Sequence, residues 1–238
     1  MAVGAYGSML IVLQGRLNSN RLQYKGLFNF FNQTVFERII DIAKNIRFKK
    51  KIIFATSTNK NHEILKKICE DKKILFYQHP GDEENVFKRF ETIIKKNKKF
   101  KYVLRITCDN YLIQPEIIEY LYKKVIAEKT DYGYIETLSH FSGEIIKSSI
   151  LLEEGKKKIS NKAKEHVTWD IRNSNRYKKT ILPKNLFDID HQKSPSLDTL
   201  DDLIKLNSYQ YKYPKLAKIR NLSQIKKIFP YKIKLNEK

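Results

Sequence analysis

Met9–Leu27 reads MLIVLQGRLNSNRLQYKGL, and this stretch decides the fold. Its apolar, β-branched run breaks at Gln14-Gly15 into a loop carrying Arg16, Arg21 and Lys25, the pattern of a buried strand opening onto a basic loop. In open α/β sheets ligands sit beyond the carboxyl ends of the strands, so these cations are placed to meet a polyanionic phosphate. Asn18, Ser19 and Asn20 suit such a cradle, because short polar residues tolerate tight turns and offer donors alongside the backbone amides. Neither GxxxxGK[ST] nor GxGxxG is present. The residues alone leave open a solvated basic loop in a very basic chain.

Outward from this strand the pattern alternates. Helical spacing over Val35–Ile46, Asn61–Asp71, Glu84–Lys96 and Pro115–Glu128 separates extended runs at Lys51–Thr56, Ile74–Gln78 and Lys101–Thr107, the last ending on Cys108-Asp109-Asn110. Strands alternating with helices of this length predict an α/β fold, with a mostly parallel sheet between two helical layers. After residue 130 the pattern changes to short β-like pieces within Asp131–Leu151, a short helix at Ile159–Glu165, and extended segments at Thr180–Asp188 and Ser194–Asp198. Helices follow at Leu200 to about Tyr211, with Thr199 as N-cap and Asp202 three residues on, and at Ser223–Ile228. We read one domain over residues 9–238. Met1–Ser8, MAVGAYGS, reads as an appended scar outside the fold, with Met9 the candidate native start.

The chain has 238 residues, is 41% hydrophobic, and carries a formal net charge of +21. That is apolar enough for a full core. The charge invites a nucleic-acid reading, but 38 of the 47 cations are Lys, scattered from Lys25 to Lys238, and no RRM-like interleaving of aromatic and basic residues is present. No nucleic-acid partner is expected. Against this background the nine Arg are the more informative cations, since their planar fork suits phosphate and carboxylate; Arg16, Arg21, Arg89 and Arg105 stand out. Two cysteines, Cys69 and Cys108, make no disulfide framework and point to a reducing cytoplasm. No apolar run reaches the length of a membrane span, so no membrane insertion is expected.

Four constellations could carry chemistry. The basic loop is the first. Asp109, where a strand meets its loop with Arg105 four residues back, is a natural Mg²⁺ ligand or an ordinary Asp-Asn turn. Asp198 in LDTLDDL could be a second metal carboxylate or an acidic residue favoured by the following helix dipole. Glu165-His166 in KEHVTWDI is a fourth, with a structural His beside a surface Glu as its alternative.

Taken together, the order LQGRLNSNRLQYKGL, GDEENVFKRF, VLRITCDNYLIQPEII, KEHVTWDI and LDTLDDL resembles the cytidylyltransferases of the spore-coat polysaccharide type, relatives of the CMP-sialic-acid and CMP-Kdo synthetases. The resemblance spans roughly residues 9–205. It implies a glycosyltransferase-A-like nucleotidyltransferase fold, with a nucleotide half to about residue 130 and an acceptor and dimerisation half beyond it. It implies binding of CTP with Mg²⁺ and transfer of CMP, with loss of pyrophosphate, to an acidic sugar or related acceptor. On this likeness Gln14, Arg16, Ser19, Arg21, Lys25 and Arg105 bind the nucleotide, and Asp109 and Asp198 bind the metal. Glu144, Glu165 and His166 face the acceptor, while Arg16, Lys25, Asp109 and Asp198 are the catalytic set. A glycosyltransferase of the same fold would need a DxD-like motif, and CDN at Cys108–Asn110 lacks the second Asp. A relative that binds nucleotide without turnover is the other alternative.

The chain departs from the family pattern at named positions. Asn18 stands where Gly is common, Gln23-Tyr24 replaces the usual Pro-Gly before the loop lysine, and Tyr24 should enter a left-handed turn less readily than Gly. Asn85 replaces Asp, Tyr111 and Trp169 replace Pro, and Lys164 replaces Arg. On charge alone, Lys164 and Arg172 are candidates for an acceptor carboxylate. The apolar YGYIETL and EIIKSSILL segments offer a candidate surface for a homodimer.

Overall fold

The five apolar residues that open the decisive stretch are buried on both faces of a sheet. Met9, Ile11 and Leu13 point into one core, Leu10 and Val12 into the other, which is the two-residue alternation of a strand covered on both sides. The structure is a computed structural model describing residues 7–58, 62–111, 113–136, 142–184 and 196–212. In chain order it runs β1 (Met9–Gln14), β2 (Asn29–Phe30), β3 (Gln33–Thr34), α1 (Val35–Asn45), β4 (Lys50–Ser57), α2 (Glu63–Asp71), β5 (Leu75–His79) and α3 (Val86–Lys95). It continues with β6 (Tyr102–Thr107), α4 (Pro115–Glu128), β7 (Tyr132–Ile135), β8 (Glu144–Lys147), α5 (Ser148–Glu154), α6 (Asn161–Glu165), α7 (Trp169–Asn173), β9 (Lys179–Leu182) and α8 (Leu200–Lys212).

Seven strands form one sheet in the order β5-β4-β1-β6-β8-β7-β9. The first four run parallel; β8 is antiparallel to both β6 and β7, and β9 is parallel to β7. The expected mixed, mostly parallel sheet between helical layers is present. One layer packs α1, α2 and α4 through residues such as Ile39, Leu65 and Ile118, and the other packs α3, α5 and α7 through Phe90, Leu151 and Ile171. In both, β1 lies at the centre, with its carboxyl end between those of β4 and β6.

Several local expectations are corrected. The helix expected from Glu84 starts at Val86, because the Asn85 side chain accepts from the Lys88 amide (3.0 Å) and caps it. Asn caps as well as Asp does, which accounts for that departure from the family pattern. The helix α5 lies within the segment read as β-like, where the Ser148 hydroxyl donates to the Phe100 carbonyl (2.7 Å) as strand turns to helix. The short helix α6 begins only after Ser160, whose hydroxyl accepts from the Ala163 amide. Thr199 caps α8 as expected: its hydroxyl accepts from the Asp202 amide while the Asp202 carboxylate accepts from the Thr199 amide. Extended structure from Thr180 stops at Leu182, and residues 185–188, 194–195 and 223–228 lie outside the described residues, as do Met1–Tyr6 of the presumed scar. In the segments nominated for a dimer contact, Tyr132, Ile135, Ile145, Ile146 and Leu151 are buried in the core, while residues 137–138 lie outside the described residues.

The basic loop is docked onto this frame by Gly26, where a Cβ would lie 2.0 Å from the ring of buried Phe36 in α1. That ring is held by Phe54 of β4 at 5.3 Å between centroids, so it cannot step aside cheaply. Gly26→Ala is therefore expected to lower stability by about 2 kcal/mol, as overpacked cores do, read from urea unfolding. An unchanged midpoint would show that the loop is not seated on α1.

Candidate active site

The carboxyl ends of β1 and β6 deliver the first groups. Gln14 ends β1 beside Thr107 of β6, and the Cys108 amide donates to the Gln14 carbonyl (2.8 Å), which fixes where the Asp109 loop leaves the sheet. Asp198 arrives from far along the chain. The Leu197 amide donates to the Asp109 carbonyl (3.0 Å), and Asn110 forms an isolated antiparallel bridge with Ser196, so the two acidic residues sit on backbones that are hydrogen-bonded to each other.

Between the two carboxylates lies the Lys25 ammonium, 2.8 Å from Asp109 Oδ2 and 2.7 Å from Asp198 Oδ1. Arg21 Nη2 reaches the same Asp198 oxygen at 2.9 Å, and the Ser196 hydroxyl donates to the other (2.9 Å). Asp198 is thus not acting as a helix cap. Burial pushes its pKa up, but Lys25, Ser196 and Arg21 more than reverse this and hold it below the usual carboxylate range. Burial likewise opposes the Lys25 charge, and Asp109 and Asp198 outweigh it, raising its pKa. The depressed Asp198 stabilises the fold above its unfolded pKa and loses this as pH falls through its folded value. The raised Lys25 does so below its unfolded pKa and loses it as pH rises through its folded value. The bridge is intact across neutral pH.

The loop reaches this position through a left-handed Tyr24, φ 56° and ψ 19°, the turn that the sequence reading held difficult for Tyr. The cost of such a residue, on the order of 1–2 kcal/mol, is met by the docking around it. The Tyr24 amide donates to the Leu17 carbonyl (2.8 Å), and the Ser19 hydroxyl accepts from the Leu22 amide (3.4 Å). Asn18 is not among the positive-φ residues.

Behind the carboxylates, Arg105 Nε donates to Gln14 Oε1 (3.0 Å) and its Nη1 to Glu144 Oε2 (2.6 Å), the two residues facing each other across β6 and β8. Glu144 is buried and fully occupied: Tyr132 and Thr168 hydroxyls also donate to it, and Arg172 Nη2 stands 3.8 Å off. Burial raises its pKa, but Arg105 and these donors bring it below the ordinary value. In the free protein its carboxylate is engaged by Arg105, Tyr132 and Thr168. Gly143 brings β8 this close, since with φ +68° its missing Cβ would lie 2.4 Å from the Arg105 carbonyl oxygen.

These residues line two cavities. One, of about 420 Å³, holds Gln14, Arg16, Ser19, Arg21, Lys25, Arg105, Asp109, Glu165 and His166. The other, of about 320 Å³, holds Arg105, Asp109, Glu144, His166 and Asp198 together with Asn110, Trp169 and Arg172. Arg105, Thr107, Asp109 and His166 belong to both walls. Every residue assigned from the sequence resemblance lines one cavity or the other, with Glu165 in the first only. Of the two proposed acceptor cations only Arg172 lines the second cavity, while Lys164 donates to Asn161 of its own helix.

The sequence reading left other lining groups unassigned. Arg16 Nη1 donates to Glu84 Oε1 (2.6 Å), an acidic partner carried by the quoted GDEEN string. Arg89, noted only as an Arg, is buried in the first cavity's wall; its Nη2 donates to the Glu83 carbonyl, and its Nε has no partner among the described residues. Burial lowers its pKa.

The donor set can be tested for a divalent cation. No cluster of three or more His, Cys, Asp or Glu suited to a metal occurs among the described residues. Mg²⁺ does not require one, since it is bound through one or two carboxylates and completed by phosphate and water. Asp109 and Asp198 already converge on one cation, the Lys25 ammonium, so the pair fits. Lys25→Met should destabilise the free protein by about 2 kcal/mol, because it removes the ion pair of Asp109 and leaves Asp198 only Arg21 and Ser196. Millimolar Mg²⁺ without nucleotide should then raise the melting temperature of the variant more than that of the parent. Equal responses to Mg²⁺ would remove the carboxylate pair as a metal site.

Comparisons with known proteins bear on the family and the fold. Residues 10–232 match the family described as Cytidylyltransferase. The spore coat polysaccharide biosynthesis protein SpsF of Bacillus subtilis is 26% identical over 171 residues, 69% of this chain and 70% of that protein. Among solved structures, a cytidylyltransferase from Leptospira borgpetersenii superposes with a TM-score of 0.69 at 16% identity, covering 90% of this chain and 97% of that one. CMP:2-keto-3-deoxy-manno-octonic acid synthetase, solved with CTP, gives 0.65 at 11% identity, covering 86% and 99%. With its nucleotidyltransferase fold and a matched profile spanning nearly its whole length, the chain belongs to the cytidylyltransferase family.

Proposed function

We propose that the enzyme transfers CMP from CTP to an acidic sugar, or a related surface-polysaccharide precursor, and releases pyrophosphate. The observation that carries this reading is the convergence of Arg16, Arg21 and Lys25 with Asp109 and Asp198 where the two cavities meet. The 420 Å³ cavity, with its loop cations, suits the triphosphate, and the 320 Å³ cavity suits a second, smaller substrate. The polysaccharide context of SpsF and the CTP-bound synthetase point the same way. A cytoplasmic site of action, where CTP is at hand, belongs to this reading.

An acceptor hydroxyl attacks the α-phosphorus, the new oxygen–phosphorus bond forms as the bond to the β-phosphate oxygen breaks, and the electron pair leaves with pyrophosphate. Little covalent chemistry falls to the protein, so positioning and charge neutralisation dominate. Arg16 and Arg21 hold the leaving phosphates, and Lys25 joins them by exchanging its carboxylate partners for phosphate oxygens. Arg105, clamped by Gln14 and Glu144, fixes the wall between the two substrates. His166, on that same wall, is placed to take the acceptor proton. Asp109 and Asp198 would hold Mg²⁺, which would supply positive charge to offset the negative charge that develops during transfer. A homodimer remains part of the reading, and its contact must come from exposed apolar residues such as Ile181 on the edge strand β9, because Tyr132, Ile135, Ile145, Ile146 and Leu151 of the segments first nominated are core.

A thermal-shift panel with Mg²⁺ tests the nucleotide. CTP is expected to raise the melting temperature more than ATP, GTP or UTP, because a ligand that prefers the native state stabilises it by mass action. Equal shifts would count against CTP selectivity. At the carboxylates, Asp198→Asn removes one of two carboxylate partners of Lys25 and should cost about 1 kcal/mol of stability, lowering the melting temperature. CMP transfer should fall by orders of magnitude. Near-normal transfer would leave Asp109 as the only metal carboxylate.

A further inference from the structure

Trp169 and Arg172 stand three residues apart on one short helix, a spacing that places both side chains on the same face. Both line the 320 Å³ cavity, and the Lys162 ammonium lies over the Trp169 ring at 4.7 Å. Trp169 is 37% exposed although it is the largest apolar side chain in the protein. Its ring lies 6.3 Å from that of His166, so it continues the wall that both cavities share.

Arg172 is the unbalanced charge of this cavity. Arg105 and Glu144 are matched at 2.6 Å, and Lys25 with Arg21 matches Asp109 and Asp198. Arg172 is left with Glu144 at 3.8 Å, a carboxylate already taken by Arg105. Its Nε is buried and has no partner among the described residues, a costly state unless something else supplies an acceptor. The guanidinium is held in place by the Tyr134 ring, 4.1 Å from its carbon, which in turn stacks on Tyr132. Asn110 lines the same cavity, and its Oδ1 is likewise buried and unpartnered among the described residues. The cavity thus offers a fixed planar cation, an unused hydrogen-bond acceptor and an aromatic face.

We infer that Trp169 and Arg172 are the specificity-determining pair for the acceptor: Arg172 pairs with the acid group of an anionic sugar, and Trp169 packs against the apolar face of its ring. This rests on the second cavity being the acceptor site. A planar guanidinium suits a carboxylate in a way an ammonium does not, and an aromatic wall selects a ring with one flat apolar face. A neutral sugar of the same size would leave Arg172 as it is in the free protein, with a buried donor unsatisfied.

Trp169 is the protein's single tryptophan, so its fluorescence reports on this cavity alone. The protein, saturated with CMP and Mg²⁺, is titrated with glucuronate and 2-keto-3-deoxy-octonate, and in parallel with glucose and N-acetylglucosamine. The acids are expected to change the emission saturably at concentrations on the order of tenfold lower than the neutral sugars. Arg172→Met should abolish that difference, and Arg172→Lys should restore only part of it, while both variants keep the parent's thermal shift with CTP and Mg²⁺. Equal response to acid and neutral sugars, no saturable response to any of them, or an acid preference that survives Arg172→Met would overturn the inference. Loss of the CTP thermal shift in the parent protein would instead overturn the nucleotide reading, so the two failures are distinct.

Discussion

The site depends on one ammonium group. Lys25 lies between Asp109 and Asp198, and without it two partly buried carboxylates distant in sequence would face each other at short range. That contact ties the basic loop after β1 to the loop after β6 and to the segment before α8. It therefore organises the cavity before any substrate arrives. In the proposed reaction this contact would be exchanged, because a cation on a flexible four-carbon stem can leave its carboxylates for phosphate oxygens.

The sheet explains why the two cavities adjoin. The parallel strands β4, β1 and β6 open their carboxyl ends on one side, as nucleotide-binding sheets do, and β8 then enters antiparallel beside β6. That reversal puts Glu144 directly opposite Arg105, and the pair becomes the partition between the two cavities. Tyr132 and Thr168 complete the shell of Glu144 from β7 and from the start of the Trp169 helix, so a displacement in either would be felt at Arg105. Substrate-facing charges are few and each has a neighbour that fixes its direction.

Much of this was legible in the sequence because its causes are local. A five-residue apolar run with helices before and after every neighbouring strand leaves little choice but a parallel sheet, and Thr199 with Asp202 announces its cap. The loop cations could be nominated from their position after a strand. What was not legible came from contacts distant in sequence: that Lys25 would sit between the acidic residues, that Glu144 would be engaged by Arg105, and that Tyr132, Ile135, Ile145, Ile146 and Leu151 would be core rather than interface. The left-handed Tyr24 shows tertiary docking overriding a residue's own preference, and Asn85 shows a departure from the family pattern that is no departure in capping chemistry. Arg172 was found for its charge, whereas its unpaired Nε needed the structure.

The most direct test is a crystal structure with CTP and Mg²⁺ bound. The expected density has the metal on Asp109 and Asp198, the Lys25 ammonium moved onto the triphosphate beside Arg16 and Arg21, and the Arg105–Glu144 pair unchanged. A complex in which Lys25 still bridges the two carboxylates, with the nucleotide and its metal bound elsewhere, would contradict the central claim that this carboxylate pair is where transfer occurs.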